Sequence, residues 1–400
     1  MAVRHLNQDS PRLLALLAAL VALGPLSVDM YLPAMPSMMA DLDTDISAMH
    51  LTLSAYLSGF AAFHLLCGPL ADRFGRIPIL SLGTALFVAG CLGCSQSERV
   101  EELLAFRFLQ GVGACVGPSL ARTVVRDVFG PTRAARALSL IAMLMATAPA
   151  VAPSLGGVML LVLPWNSIFL FLGGYGLLML VLIRVFLPET LPQKQSLHPA
   201  AIARNYGELL IDPFFLLVTV TSALVYAGLL AYLSSSSFVY IEMLGVPVEY
   251  FGLIFLTAVA GYMTGSGLSA RFAGTFDSEQ LLLFGAVLSL CASATMLAGS
   301  WLLPRSVLVL VLPMVLYSTG LGLVLPHGMA IALRPFPHIA GTASALLGFI
   351  QMSLSATASA LVGLVIKDSP LPMLWGMLVI TLLALALALR VHHRYRTTRP

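Results

Sequence analysis

The chain has 400 residues, of which 59% are hydrophobic and only 10% charged, with a mean hydropathy of +0.94. Soluble domains carry about 25% charged residues, so this composition excludes a soluble globular protein and indicates one that crosses a membrane many times. The net charge of +3 resides almost wholly in the loops and makes no patch suited to nucleic acid.

Repeated apolar runs longer than 18 residues argue for helices, since a transmembrane β-strand needs only about 9 to 11. Residues 1 to 11 are polar, and the run from Leu13 to Met39 is too long for a signal-peptide core of about 7 to 15 residues. It reads as an uncleaved first helix, interrupted by Pro25, Pro33 and Pro36. An acidic turn with Asp41, Asp43 and Asp45 follows. Helix 2 is expected over Ser47 to Leu70. After it comes the stretch around which the chain is organised, Gly68-Pro69-Leu70-Ala71-Asp72-Arg73-Phe74-Gly75-Arg76. There a helix ends tightly and the next begins against a neighbour. Gly75 tolerates positive φ, Asp72 suits a helix N-cap, and Arg73 and Arg76 can bond helix-end carbonyls or acids.

Helix 3 is expected over Pro78 to Ser95, helix 4 over Leu103 to Val125, helix 5 over Ala137 to Leu163 and helix 6 over Ser167 to Leu187. Residues 188–212 form the longest polar stretch and read as a cytoplasmic linker between an N-terminal six-helix half, 1–187, and a C-terminal half with a basic tail, 213–400. In that second half the spans are Pro213 to Ile241, Tyr250 to Ala270, Gln280 to Ala298, Ser306 to Leu333, Ile339 to Ile366 and Leu371 to Leu389. Twelve crossings put both termini on one side. Seventeen Lys and Arg residues fall on that side against three, Arg99, Arg305 and Lys367, on the other. By the positive-inside rule the termini are cytoplasmic.

The halves echo one another. Leu70-Ala71-Asp72-Arg73-Phe74 matches Leu268-Ser269-Ala270-Arg271-Phe272, and Gly111-Val112-Gly113 matches Gly320-Leu321-Gly322. Parallel repeats of this kind are related by an axis along the membrane normal and bind substrate near the midplane.

Once the loops are removed, the spans hold one acid, Asp29, and one base, Arg107. Each costs about 2.5 to 3.5 kcal/mol at the bilayer centre on the insertion scale, so neither is expected to face lipid. Both fall in the outer half of the bilayer, and they are expected to form a pair controlled by proton binding. An apolar surround favours a protonated carboxyl and a nearby guanidinium favours an ionised one. A motion that changes that balance would load and release a proton. A permanent pair that only orients helices is the competing reading. His64 and His327 are secondary titrating candidates, more often simply hydrogen-bonded within a bundle.

Tyr226, Tyr232, Ser235 and Phe238 in helix 7 form a polar and aromatic stripe suited to an amphiphilic ligand, or else to helix packing. Tyr31, Gln110 and Gln351 complete the candidate substrate contacts, with Asp29 and Arg107. In helix 5, Pro149, Pro153, Gly156 and Gly157 suggest a bend and a close helix approach. The five cysteines (Cys67, Cys91, Cys94, Cys115 and Cys291) all lie in apolar runs, so neither a disulfide framework nor a metal cage is expected. No HExxH, paired carboxylate or P-loop is present, so neither an enzyme nor an ATP-driven pump is indicated, and no cofactor is expected.

These motifs resemble those of the major facilitator superfamily. Gly68 to Arg76 is similar to its loop 2-3 signature, with Pro69 in the variable place. Leu103, Arg107, Gln110, Gly111 and Gly113 resemble its helix 4 motif, whose arginine is implicated in proton coupling. Ala152-Pro153-x-x-Gly156-Gly157 resembles its helix 5 antiporter motif, with Ala152 where glycine is common. Pro25 to Pro36, Leu187-Pro188-Glu189-Thr190-Leu191-Pro192, Phe238 to Glu242 and Pro335 to Ser344 further resemble the bicyclomycin-resistance (Bcr/CflA) drug:proton antiporters. The resemblance implies an all-α fold of 12 transmembrane helices in two six-helix halves with pseudo-two-fold symmetry. It implies a monomeric multidrug exporter of the bacterial inner membrane that exchanges small neutral or amphiphilic antibiotics for protons. It also implies that Asp72 meets the start of helix 11 and that the loop arginines meet Asp127, latching one state. A proton-coupled exporter of a natural amino acid or sugar, with incidental drug efflux, is the alternative.

Overall fold

The computed structural model describes residues 11–191, 199–272, 275–367 and 369–398. Pro192 and Lys194 of the expected linker fall outside this set, as do the side chains of Arg122, Arg126 and residues 129–147. The described residues are helical and contain no strand. Among the described residues eleven helices are long and apolar enough to cross a membrane, and Ala148–Met159 is a shorter apolar helix. The chain clusters into two compact units. One comprises Met1–Thr44 with Ala55–Ile202, the other Asp45–Ser54 with Ala203–Pro400.

The first unit begins with α1 (Pro11–Asp29), a single 3₁₀ turn (Leu32–Ala34) and α2 (Met35–Asp41). Pro25 is accommodated inside α1, and the break comes later. Pro33 has no N–H for the carbonyl of Asp29 and Pro36 has none for that of Leu32, so the ladder stops at Asp29 and restarts at Met35. Next comes α3 (Ile46–Phe74), started by Asp45, whose Oδ1 accepts from Ala48 N at 2.7 Å. Its first turns, through Ser54, belong to the second unit. Against the expected end at Leu70, α3 continues to Phe74, and only Gly75 separates it from α4 (Arg76–Ser95). Gly75 has φ 111° and ψ 156°, a region essentially reserved for glycine.

Helices 4 and 5 also differ from expectation. α5 (Val100–Ala114) breaks at Cys115, and α6 (Val116–Met159) is helical throughout. A straight helix would separate Gly117 from Gly156 by about 58 Å, yet both abut α1. A Cβ added at Gly117 would lie 2.1 Å from Leu20 O, and one at Gly156 would lie 2.4 Å from Met30 O. Those contact points are only about 15 Å apart along α1. The helix path therefore doubles back between them, and α6 contributes two limbs to the bundle. α7 (Asn166–Phe186) and the amphipathic α8 (Pro199–Ile211) follow.

The second unit contains α9 (Pro213–Ser237), which runs into a π turn (Phe238–Met243), then α10 (Val248–Phe272), α11 (Ser278–Leu302), α12 (Val307–Leu333), a 3₁₀ turn (Pro337–Ile339), α13 (Ala340–Val365) and α14 (Leu371–Thr398). Local chemistry sets these starts. Asp212 caps α9 by accepting from Phe215 N at 2.6 Å, with Pro213 in the first turn. Asp277 and Gln280 form a reciprocal capping box on α11. Apolar side chains such as Leu177, Leu178 and Val181 point outward from α7, which suits hydrocarbon and not water.

Candidate functional site

Asp29 is the last residue of α1 and is 5% exposed. Among the described residues its carboxylate makes no ion pair and accepts no hydrogen bond. The backbone break places it beside Met30, Tyr31 and Leu32, all fully buried.

Arg107, in α5, is fully buried. Its Nη1 donates to Gln110 Oε1 at 2.6 Å and to Ser27 O at 3.2 Å. The guanidinium carbon lies 4.2 Å from the Tyr31 ring centroid, 4.6 Å from that of Tyr56 and 5.9 Å from that of Phe169. Aromatic faces attract a cation electrostatically, by up to about 2 kcal/mol when it is desolvated. The cage thus offsets part of the cost of burying the charge. Nε and Nη2 have no hydrogen-bond partner among the described residues. The expected Asp29–Arg107 ion pair is therefore absent from this arrangement: the cation is held by π faces, an amide and one backbone carbonyl.

The cage is itself braced. Tyr56 donates to Gly24 O at 3.2 Å and its hydroxyl lies 3.1 Å from that of Ser27, which donates to Leu23 O. Gln110 Nε2 donates to Cys91 Sγ at 3.1 Å. A Cβ at Gly111 would lie 2.0 Å from Tyr56 O, so this glycine lets α5 approach α3 closely enough for Arg107 to sit over the Tyr56 ring. Cys91 and Cys94 are free and buried.

At the far end of the same unit, the expected gating residues form a cluster. Arg76, 6% exposed, donates from Nη1 to Asp72 Oδ1 at 2.5 Å and from Nε to Asp127 Oδ2 at 3.3 Å. Asp72 is not an N-cap, as the sequence suggested, but lies inside α3, one turn before its partner. Arg73 stays at the surface, 5.4 Å from the Phe74 ring centroid, and Gly68 faces open space. The capping is done by Glu189, which sequence reasoning had placed only in a motif. Its carboxylate accepts from Arg76 N at 2.9 Å and Ile77 N at 3.1 Å, and also from Thr190 N and Leu191 N at 3.1 Å. Thr190 Oγ1 donates to Asp127 Oδ2 at 3.4 Å. One carboxylate thus ties the chain after α7 to the start of α4. In the helix 5 motif, Pro153, Gly156 and Gly157 are buried and Pro149 is half-buried. Gly156 packs on the backbone immediately after Asp29.

In the second unit, the α9 stripe is committed mostly to its own helix. Ser234 and Ser235 donate to Ala231 O, and Ser236 donates to Leu233 O. Tyr232 and Tyr240 share a hydrogen bond of 2.5 Å. Phe238 is fully buried, whereas Tyr226 and Gln351 are half-buried. His64 lies 3.0 Å from Ser119 Oγ, and His327 bridges Ser269 and Ser278 at 2.9 and 3.1 Å. No group of three or more potential metal ligands occurs among the described residues.

Comparison with known proteins follows the same line. The family model of the Major Facilitator Superfamily matches residues 17–360. The Bacillus subtilis "Uncharacterized MFS-type transporter YdgK" is 36% identical, over 87% of this chain and 88% of the relative. The Haemophilus influenzae "Bicyclomycin resistance protein homolog" is 32% identical, over 92% of the chain and 94% of its own length. "Multidrug resistance protein MdtL" of Shigella flexneri is 36% identical, over 86% and 88%. Among solved structures, a bacterial homologue of the lysosomal transporter Spinster superposes with a TM-score of 0.75, at 16% identity, covering 97% of this chain and 98% of its own. The D-xylose-proton symporter superposes with a TM-score of 0.74, also at 16% identity, over 94% and 97%. At such identity these two show the fold alone.

Proposed function

This chain belongs to the Major Facilitator Superfamily, among the bicyclomycin-resistance and related multidrug transporters, and from that premise we propose that it exports small neutral or amphiphilic antibiotics in exchange for protons. It is a membrane transporter and not an enzyme. The observation that carries the exchange reading is Asp29, a carboxyl without an ion pair or hydrogen bond among the described residues, set where a membrane-length segment breaks. A group so placed binds and loses a proton without first breaking a salt bridge.

In this reading Asp29 takes a proton when its surroundings open outward and gives it up when they open to the cytoplasm. Arg107 keeps two donor nitrogens, Nε and Nη2, without a partner among the described residues, which it offers to the ionised Asp29 or to an oxygen of the drug, and Gln110 steers the guanidinium. Tyr31, Tyr226, Tyr232, Ser235, Phe238 and Gln351 are the proposed cargo contacts; of these, Ser235 donates to Ala231 O and keeps its oxygen to accept. Asp72, Arg73, Arg76 and Asp127, with Gly68 and Gly75, form the proposed cytoplasmic gate, and Pro149, Pro153, Gly156 and Gly157 the proposed hinge beside the acid. The chain is placed in the bacterial inner membrane, as a monomer with cytoplasmic termini.

Expression in a bacterium stripped of its own pumps tests the cargo. Reduced sensitivity to bicyclomycin- or chloramphenicol-type compounds is expected. Unchanged sensitivity together with faster release of an amino acid or sugar would reassign the cargo to a natural metabolite.

A further inference from the structure

His50 takes no part in the mechanism above, yet it is fully buried in the second turn of α3. It belongs to the stretch Asp45–Ser54 that packs within the second unit. Its Nδ1 lies 3.1 Å from the backbone carbonyl of Ser359 in α13. A carbonyl only accepts, so Nδ1 carries the hydrogen and the neutral ring holds its lone pair on Nε2. Among the described residues Nε2 has no hydrogen-bond partner, and neither do the buried hydroxyls of Ser359 and, near the end of α9, Ser237. The ring stacks on Phe238 with centroids 6.0 Å apart and planes inclined by 20°. A Cβ at Gly363 would lie 2.4 Å from His50 Cβ, so α13 meets this turn closely at a glycine. One turn further on, Ser54 Oγ donates to Ala356 O at 2.9 Å.

This packing suits only the neutral imidazole. A second proton would put a charged N–H at Nε2, in a buried contact with no acceptor bonded to it among the described residues. Among the described residues no carboxylate or amine forms an ion pair with His50. The titratable groups of the packed elements are these. Tyr232 and Tyr240 of α9 and its π turn bond to each other, Glu242 follows Phe238 by one helical turn, Lys367 lies beyond the end of α13, and Asp45 caps α3.

We propose that His50 is a proton-responsive latch, which holds the first turns of α3 against α13 when neutral and releases them when it is protonated. The inference rests on the proposed orientation, which puts this end of α3 outside, where the driving protons originate. A protonated His50 would keep that end parted until the proton has left, linking closure to the proton's departure from the ring.

The test uses full-length protein in lipid nanodiscs, with Cys291→Ser removing the exposed thiol and spin labels on Ser47→Cys, which leaves the Asp45 cap in place, and Lys367→Cys. The separation is read by pulsed electron spin resonance without any ion gradient, at about pH 8 and about pH 5, either side of the usual imidazole value of about 6.5. The unmutated His50 chain is expected to gain a longer-distance population at acid pH. His50→Gln retains a donor for Ser359 O but cannot take a proton, and should keep the short distance at both values. A His50 chain with no acid response overturns the proposal without recourse to any variant, and so does an equal response in His50→Gln. Because no transport is measured, loss of proton-coupled export would refute the proposed function while leaving this result standing.

Discussion

Glu189 and Gly75 make one joint, and substituting either should disturb the same bonds. Removing the carboxylate with Glu189→Ala frees the N–H groups of Arg76 and Ile77, held at 2.9 and 3.1 Å. Loss of a side-chain cap costs about 1 kcal/mol, and loss of a negative charge at a helix N-terminus about 0.3 to 1 kcal/mol more, giving about 2 kcal/mol. Gly75→Ala would pay about 1 to 3 kcal/mol for its backbone conformation. Its new Cβ would also sit 2.5 Å from Glu189 Oε2, which displaces the carboxylate and loses the cap as well. The total is about 4 kcal/mol. The double variant should therefore fall short of the sum of the singles by about 2 kcal/mol. Hydrogen exchange at the amides of Arg76 and Ile77 provides the assay: at 1.4 kcal/mol per tenfold, Glu189→Ala should accelerate both by about 30-fold. Glu189→Gln, which retains a neutral acceptor, should give a smaller effect. Strict additivity, or amides unaffected by Glu189→Ala, would refute the capping argument.

Arg107→Lys keeps the charge but loses the planar stack on Tyr31 and Tyr56, and should reduce proton-coupled export about tenfold or more, with the chain still folded; export measured in vesicles checks this. Gly156→Ala would force Met30 O away from a Cβ 2.4 Å distant. It should lower stability in detergent by about 1 to 3 kcal/mol and depress export through the shift beside Asp29. Glu279 is 1% exposed and accepts from Arg334 Nη1 at 2.9 Å. Arg334 is half exposed, so Arg334→Ala should cost only about 1 kcal/mol, while adding Glu279→Gln should recover much of the loss; chemical unfolding of the three variants decides.

Much of this was legible in the primary structure, for physical reasons that also mark where legibility stops. Apolar run length locates spans because the bilayer thickness is fixed, and Gly75 was readable as a residue that tolerates positive φ in a tight turn, although the narrowing of that turn to one residue was not. Asp29 and Arg107 stood out because ionisable groups are rare in hydrocarbon. Their partners did not, since the aromatic cage depends on how α1, α3, α5 and α7 cross. Tyr56 carried no signal beyond being aromatic in a span. Glu189 lies more than 110 positions from the amides it caps, and only the Leu187-Pro188-Glu189-Thr190 motif hinted at it. The boundary of helix 5 was not legible, because loop composition predicts a break after Val125 where the chain is helical from Val116 to Met159. His50 was overlooked because nothing near it in sequence reveals a lone pair without a donor.

The account turns on a single carboxyl that exchanges a proton for cargo. Inside-out vesicles, energised to an acidic interior and then given the drug, measure this directly. Drug addition should discharge the preformed pH gradient for the parent chain, and the discharge should vanish in Asp29→Asn. Discharge by Asp29→Asn at the parent rate would contradict it.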